Sequence, residues 1–215
     1  MIGEKQKTNP LESLSYLLFS NPVLVGGLVI GQLAAGATSL QNGVALTITF
    51  LFVTFPVLIF ASAFGKVLPK WSRVAVYMLL SAAMLYPAYL VCKNLSATVL
   101  DSVGIYLPIL AVSTVPSVYS ARYSEKHNVG KAALDGLCLS VGFGLVAAVL
   151  GMAREFFGNG TIWGVKVSEH TFPAVRLPFW GFILLGFMAA GVAALRLLFH
   201  RPDYVEPILD EEGDR

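Results

Sequence analysis

The sequence predicts an all-α polytopic membrane protein of six transmembrane segments, arranged as a 3+3 inverted repeat with broken first and fourth helices. Three observations carry that reading. Of 215 residues, 56% are hydrophobic and 13% charged, about half the charged share of a soluble domain. The charges are also segregated: no Lys, Arg, Asp or Glu lies between Ser13 and Gly65, and further uncharged runs cover Val74–Cys92, Ser102–Ala121, Gly136–Ala153 and Leu177–Leu195. Each run is close to the roughly 20 residues that cross ~30 Å of hydrocarbon, and the first is long enough for two crossings. Finally, glycine or proline interrupts the segments that open the two trios of crossings, the pattern of inverted repeats with broken helices near the midplane.

The elements follow in chain order. Residues 1–20, MIGEKQKTNPLESLSYLLFS, lack a small-residue cleavage site and are expected to form a cytoplasmic interfacial segment. The membrane domain is expected over 21–199, with repeats at about 21–92 and 105–199. Segment one, Pro22–Leu40, carries Gly26, Gly27, Gly31 and Gly36. Gln41-Asn42-Gly43 reads as a turn before segment two, Val44–Gly65. Lys66, Lys70 and Arg73 form a basic loop with Pro69 and Trp71 at the interface. Segment three is Val74–Cys92, and a loop of mixed polarity runs from Lys93 to Gly104. Segment four, Ile105–Val118, is short and carries Pro108 and Pro116. The basic connection Tyr119–Lys131 leads to segment five, Ala132–Met152, and segment six is Val175–Phe199. Residues 200–215 form an acidic, proline-broken tail, expected to be solvated and cytoplasmic.

Counting basic residues by side fixes the orientation. With six crossings one face holds Lys5, Lys7, Lys66, Lys70, Arg73, Arg122, Lys126, Lys131, Arg196, Arg201 and Arg215; the other holds only Lys93, Arg154, Lys166 and Arg176. Both termini are expected in the cytoplasm. The basic residues serve topology at a net charge of +2, and no nucleic-acid partner is expected.

No catalytic motif is present: there is no HExxH, nucleophile elbow, P-loop or dinucleotide fingerprint. The polar connections are too short to hide a soluble catalytic domain. His127, His170 and His200 lie in connections or at the end of segment six and read as solvated imidazoles. Cys92 and Cys138 have no CxxC spacing, so no metal site and no disulfide is expected. Gly36-Ala37-Thr38 matches the core of a flavin-attachment signature, but Ala35 and Gln32 depart from it and no flavin attachment is expected.

Three features remain. The small residues Gly27, Gly31, Ala35 and Ser39 recur every fourth position, which on one helix makes a face for close helix packing. Asp135 is expected near the start of segment five, either stabilised by the helix N-terminus or belonging to an ion path. Arg154 and Glu155 end the same segment, as an interfacial anchor or part of an ion route.

Several stretches resemble the Rnf/Nqr membrane subunits, in the RnfE/NqrD branch. They are Asn21-Pro22-Val23-Leu24-Val25, then Ala133-Leu134-Asp135-Gly136-Leu137 with Val141-Gly142-Phe143-Gly144, and Arg154-Glu155-Phe156-Phe157-Gly158-Asn159-Gly160-Thr161-Ile162-Trp163-Gly164. The similarity runs from about residue 20 to 195 and leans toward Rnf. It implies a membrane component that pairs with a homologous six-crossing partner of opposite orientation, inside a bacterial or archaeal inner-membrane complex with flavin-carrying and iron–sulfur subunits. That complex would couple electron transfer from ferredoxin or NADH to ion translocation. The family's pair shares a [2Fe–2S] cluster held by one cysteine from each broken helix. The corresponding positions here are Gly31 and Thr114, so this chain is expected to ligate no cluster, bind no cofactor alone, and act as a non-catalytic subunit of a translocase. A different class, the solute-binding membrane component of an uptake transporter, suits the same size and hydropathy, as does a purely structural paralogue. Neighbouring genes for redox subunits or for an ATPase pair distinguish the first two.

Overall fold

The computed structural model describes residues 21, 24, 27–95, 97–123, 129–169 and 171–198. The expected N-terminal segment 1–20, the acidic tail and His127, His170 and His200 lie outside the described residues.

Among the described residues, four helices are long and apolar enough to cross a membrane: α2 (Leu40–Phe64), α3 (Lys70–Leu95), α7 (Val129–Asn159) and α8 (Pro178–Leu198). The first and fourth apolar segments are shorter pieces. Among its described residues, segment one holds the short helix α1 (Ile30–Gly36), entered through left-handed backbone at Gly27 (φ 66°) and Val29 (φ 63°). Segment four holds α5 (Tyr106–Ala111) and most of a π-helical turn at Val115–Tyr119, and the expected connection after it opens with the single turn α6 (Ser120–Tyr123). The remaining elements are α4 (Ala97–Val103), a two-stranded hairpin of β1 (Thr161–Ile162) and β2 (Val165–Lys166), and a 3-10 turn at Pro173–Arg176.

Several expected boundaries move. Gln41-Asn42-Gly43 is not a turn but the first turn of α2. Ser39 caps that helix, its side chain accepting from the Asn42 amide, and Asn42 Nδ2 donates to Thr38 Oγ1 at 2.8 Å. Within a triplet that favours turns in isolation, the Asn42 amide is thus a helix-start donor that Ser39 satisfies. The expected loop Lys93–Gly104 is mostly helical, since α3 runs to Leu95 and α4 follows. There Ser102 Oγ donates to Asn42 Oδ1 at 3.0 Å, tying α4 to the head of α2. Segment five extends to Asn159, so Arg154 and Glu155 lie within α7 rather than after it, buried rather than anchored at an interface.

The core is the antiparallel pair α2 and α7. Ser39 lies beside Gly151, Gly43 beside Ala147, Thr47 beside Gly144, and Phe55 and Leu58 beside Gly136. The rings of Phe50 and Phe143 stack 4.3 Å apart between them. A Cβ on Gly43 would stand 2.6 Å from the Ala147 carbonyl oxygen, and one on Gly144 would stand 2.6 Å from the Thr47 methyl. The missing side chains are what let the two backbones approach, as small residues do between membrane helices. Leu33, Leu46, Leu107, Leu139 and Leu150 fill the space around the pair.

Candidate functional site

The site is the break between α1 and α2, and α7 holds it. Arg154 is fully buried, with 0% exposure. Its Nη1 donates to the carbonyls of Ala34 (2.5 Å) and Ala37 (3.1 Å). Its Nη2 donates to Arg176 (2.5 Å) and Leu177 (3.3 Å), and its Nε to Val175 (3.2 Å). A guanidinium has five N–H donors, and each has a carbonyl here. Ala34 is in the last turn of α1, where carbonyls lack intrahelical partners. The cation therefore replaces the missing next turn and complements the negative end of the helix dipole.

Glu155 acts on the other side of the break. Its Oε2 accepts from the amide of Leu40, the first residue of α2, at 2.9 Å. Its Oε1 accepts from Thr161 Oγ1 (3.1 Å) and the Gly164 amide (2.8 Å), both in the hairpin. The carboxylate thus faces the positive end of α2, the favourable arrangement for an anion. Two further glycines allow the close fit. A Cβ on Gly151 would collide with the Ser39 carbonyl, and one on Gly181 of α8 with the Ala34 carbonyl.

The second break is satisfied by hydroxyls. Ser113 Oγ donates to Leu110 O (2.6 Å), Ser117 Oγ to Ser113 O (2.7 Å) and Ser120 Oγ to Val115 O (3.3 Å). These serines pair carbonyls around Pro108 and Pro116, where regular helical bonding fails. The two breaks meet where Gly36 faces Tyr106: a Cβ on Gly36 would stand 3.3 Å from that ring.

The remaining sequence-derived candidates disperse. The ladder does not lie on one helix: Gly31 and Ala35 share α1, Gly27 precedes it in left-handed backbone, and Ser39 caps α2. Gly31 is exposed, with no neighbour among the described residues within 4 Å of its Cβ position beyond its own helix. Asp135 is buried at the seventh position of α7, beyond the first turn, so the helix-N-terminus role expected for it does not hold. Cys92 is buried against Thr49 Oγ1 (3.7 Å) and Ala45 O (3.6 Å). Among the described residues, no three His, Cys, Asp or Glu side chains are grouped to hold a metal. Sequence reasoning misses the capping role of Ser39, the tie made by Asn42 and the three serines of the second break; a Ser three residues before Asn, and serines beside prolines, are the available signals.

The profile of the family described as Rnf-Nqr subunit, membrane protein, matches residues 12–198. The chain belongs to that family. It is 31% identical over 177 residues to the E-type component of the proton-translocating ferredoxin:NAD(+) oxidoreductase complex of Clostridium ljungdahlii, spanning 81% of this chain and 83% of that one. It is 29% identical over 188 residues to the E-type component of the ion-translocating oxidoreductase complex of Shewanella amazonensis, spanning 80% and 81%. Membership of the Rnf-Nqr family and the apolar helices make this an integral membrane protein. In this Rnf-Nqr chain the two positions that the family resemblance assigns to cluster ligands do not fit a [2Fe–2S] centre, which takes thiolate or imidazole ligands. Gly31 has no side chain, and Thr114, exposed at the head of the π-turn, offers a hydroxyl.

Proposed function

We propose that this chain is a membrane subunit of an Rnf-like complex that couples electron transfer, linked to ferredoxin or NADH, to ion translocation. The observation that carries the reading is the family match over residues 12–198, together with relatives named for such complexes over four-fifths of the chain. In it the chain contributes architecture rather than chemistry. Arg154 and Glu155 neutralise the backbone ends of a helix break that would be costly inside a bilayer, and Gly31 and Ala35 are free to meet a homologous six-crossing partner of opposite orientation. We infer that the chain ligates no [2Fe–2S] cluster, on the residues at 31 and 114, and that flavins and other iron–sulfur centres belong to partner subunits.

A 3+3 inverted repeat is supported by order and packing. Each half runs from a broken short segment to a long helix and then a second long helix. The two central helices, α2 and α7, lie antiparallel as opposite orientation of the halves requires. The basic-residue count supports both termini in the cytoplasm of a bacterial or archaeal inner membrane. Replacing Lys66 and Lys166 with cysteine tests that placement. Labelling from opposite sides of sealed vesicles is expected, and labelling of both from one side overturns it.

The function is tested in inverted membrane vesicles with and without this chain. Electron transfer between reduced ferredoxin and NAD(+) that builds a membrane potential should disappear without it and return on complementation. Vesicles that keep the activity but lose uptake of a solute would favour a transporter component instead. Iron and acid-labile sulfide on the purified complex, with a map around Gly31 and Thr114, test the cluster: iron density bridging those residues to a partner overturns the inference.

A further inference from the structure

The hairpin between α7 and α8 turns on Trp163-Gly164, with φ of 55° and 77°. Two successive left-handed residues make the tight hairpin turn that selects Asn-Gly or Asp-Gly. A tryptophan there is an outlier, and its cause lies in what the indole does. It is half exposed, at 52%. Val165, Val167 and Phe172 are more exposed still, at 67%, 58% and 74%. Yet the hairpin is firmly held. The Gly160 carbonyl accepts from the Val167 and Ser168 amides at 2.8 and 2.9 Å, the Phe157 carbonyl accepts from the Phe172 amide at 2.8 Å, and Glu155 takes Thr161 and Gly164. This is a fixed element presenting apolar side chains outward.

Its place in the fold identifies what covers it. Asn159 ends α7 and Pro178 opens α8, both helices of membrane-crossing length, so the hairpin stands at a bilayer surface. Exposed cations accompany the aromatics: Arg176, and Lys166 with only a loose 4.0 Å approach to Glu169. Tryptophan beside basic side chains is the composition of the lipid headgroup layer, where the ring has one apolar and one wet edge and the cations meet phosphate oxygens.

We propose that the hairpin tip, residues 163–166, with Phe172 and Arg176, forms a lipid-seated foot: Trp163 and Phe172 lie in the headgroup layer, and Lys166 and Arg176 on lipid phosphates. The foot and the helix break share one carboxylate, since Glu155 receives both the Gly164 amide and the Leu40 amide. Seating the hairpin therefore sets the depth of the α1–α2 break in the bilayer.

The test uses the intact complex in native membranes. A photoreactive benzoylphenylalanine is placed at position 163 and, separately, at the water-exposed position of Glu169. Irradiation should attach phospholipid to the chain at 163 and not at 169, read by mass spectrometry. Attachment of another protein at 163 would overturn the proposal, as would no adduct there, or equal lipid adducts at both positions. The readout does not depend on redox activity, so it fails or succeeds independently of the function proposed above.

Discussion

Arg154 and Glu155, consecutive on α7, grip opposite lips of one helix break: the guanidinium takes the carbonyl end of α1 and the carboxylate the amide end of α2. Side chains of consecutive helical residues diverge by about 100°, so the pair reaches the two ends without competing for either. Each charge matches the sign of the helix end that it meets.

Replacing Arg154 with Met keeps much of the volume and removes all five donors. Each buried carbonyl left unpaired costs roughly 1–3 kcal/mol, and the protein should fail to accumulate in membranes. Arg154→Lys should recover only part of the loss, because an ammonium cannot reproduce the planar fork. Quantitative blotting of membranes checks this; wild-type amounts of the Met variant would show that the carbonyls do not need the guanidinium.

Glu155→Gln places an amide N–H₂ where one acceptor oxygen stood, facing either Leu40 or the hairpin. Hydrogen bonds to a charged group contribute about 1.5–3 kcal/mol, and 1.4 kcal/mol corresponds to about tenfold in an equilibrium. Amide exchange at Leu40 or Gly164 should therefore accelerate about tenfold or more in the variant. Unchanged protection at both amides would mean that the carboxylate contributes nothing there.

Glycines of the two kinds should behave oppositely. Gly43→Ala and Gly151→Ala drive a methyl into a carbonyl of the facing segment, an overpacking that typically costs about 1–3 kcal/mol, and should lower the melting temperature of the purified complex. Gly31→Ala should be tolerated, whereas Gly31→Leu should leave this chain in the membrane but release it from its partner, seen as a shift on native gels. Unchanged migration and activity for Gly31→Leu would show that this face meets only lipid.

Tyr77 is buried, with a hydroxyl that finds no hydrogen-bond partner among the described residues, while its ring packs edge-on to Phe60 at 6.4 Å. Tyr77→Phe keeps the packing and removes a desolvated polar group, whose unpaired burial costs roughly 1–3 kcal/mol. Stability should be equal or higher, read as the melting temperature. A marked fall would reveal an interaction made by that hydroxyl in the assembled complex.

Charge segregation makes the apolar segments legible, because Lys66, Arg73 and Lys131 bracket long uncharged runs. Their internal continuity is less so. Gln41-Asn42-Gly43 carries a turn signal, but Ser39 caps the helix ahead of it and Gly43 is small because α7 crosses there, a requirement set more than a hundred residues away. Arg154 and Glu155 stand out as an adjacent pair, yet their partners at the break are backbone groups, which leave no trace in the residue types at 34, 37 or 40. Gly31 and Gly151 read alike in sequence and differ wholly in surroundings. Trp163 gives no warning of its role, because a strained backbone angle has no signature where the local residues are not Asn or Asp.

The distance along the chain between the break and its clamp governs how the protein is made. Leu40 leaves the ribosome 115 residues ahead of Glu155, and α1 and α2 are delivered to the membrane before the groups that neutralise their ends exist. Bare amides and carbonyls are not stable against hydrocarbon. Until α7 is made, the ends of the break at Ala34 and Leu40 lack the guanidinium and the carboxylate that pair them, so the break is sealed late, by the second half of the chain.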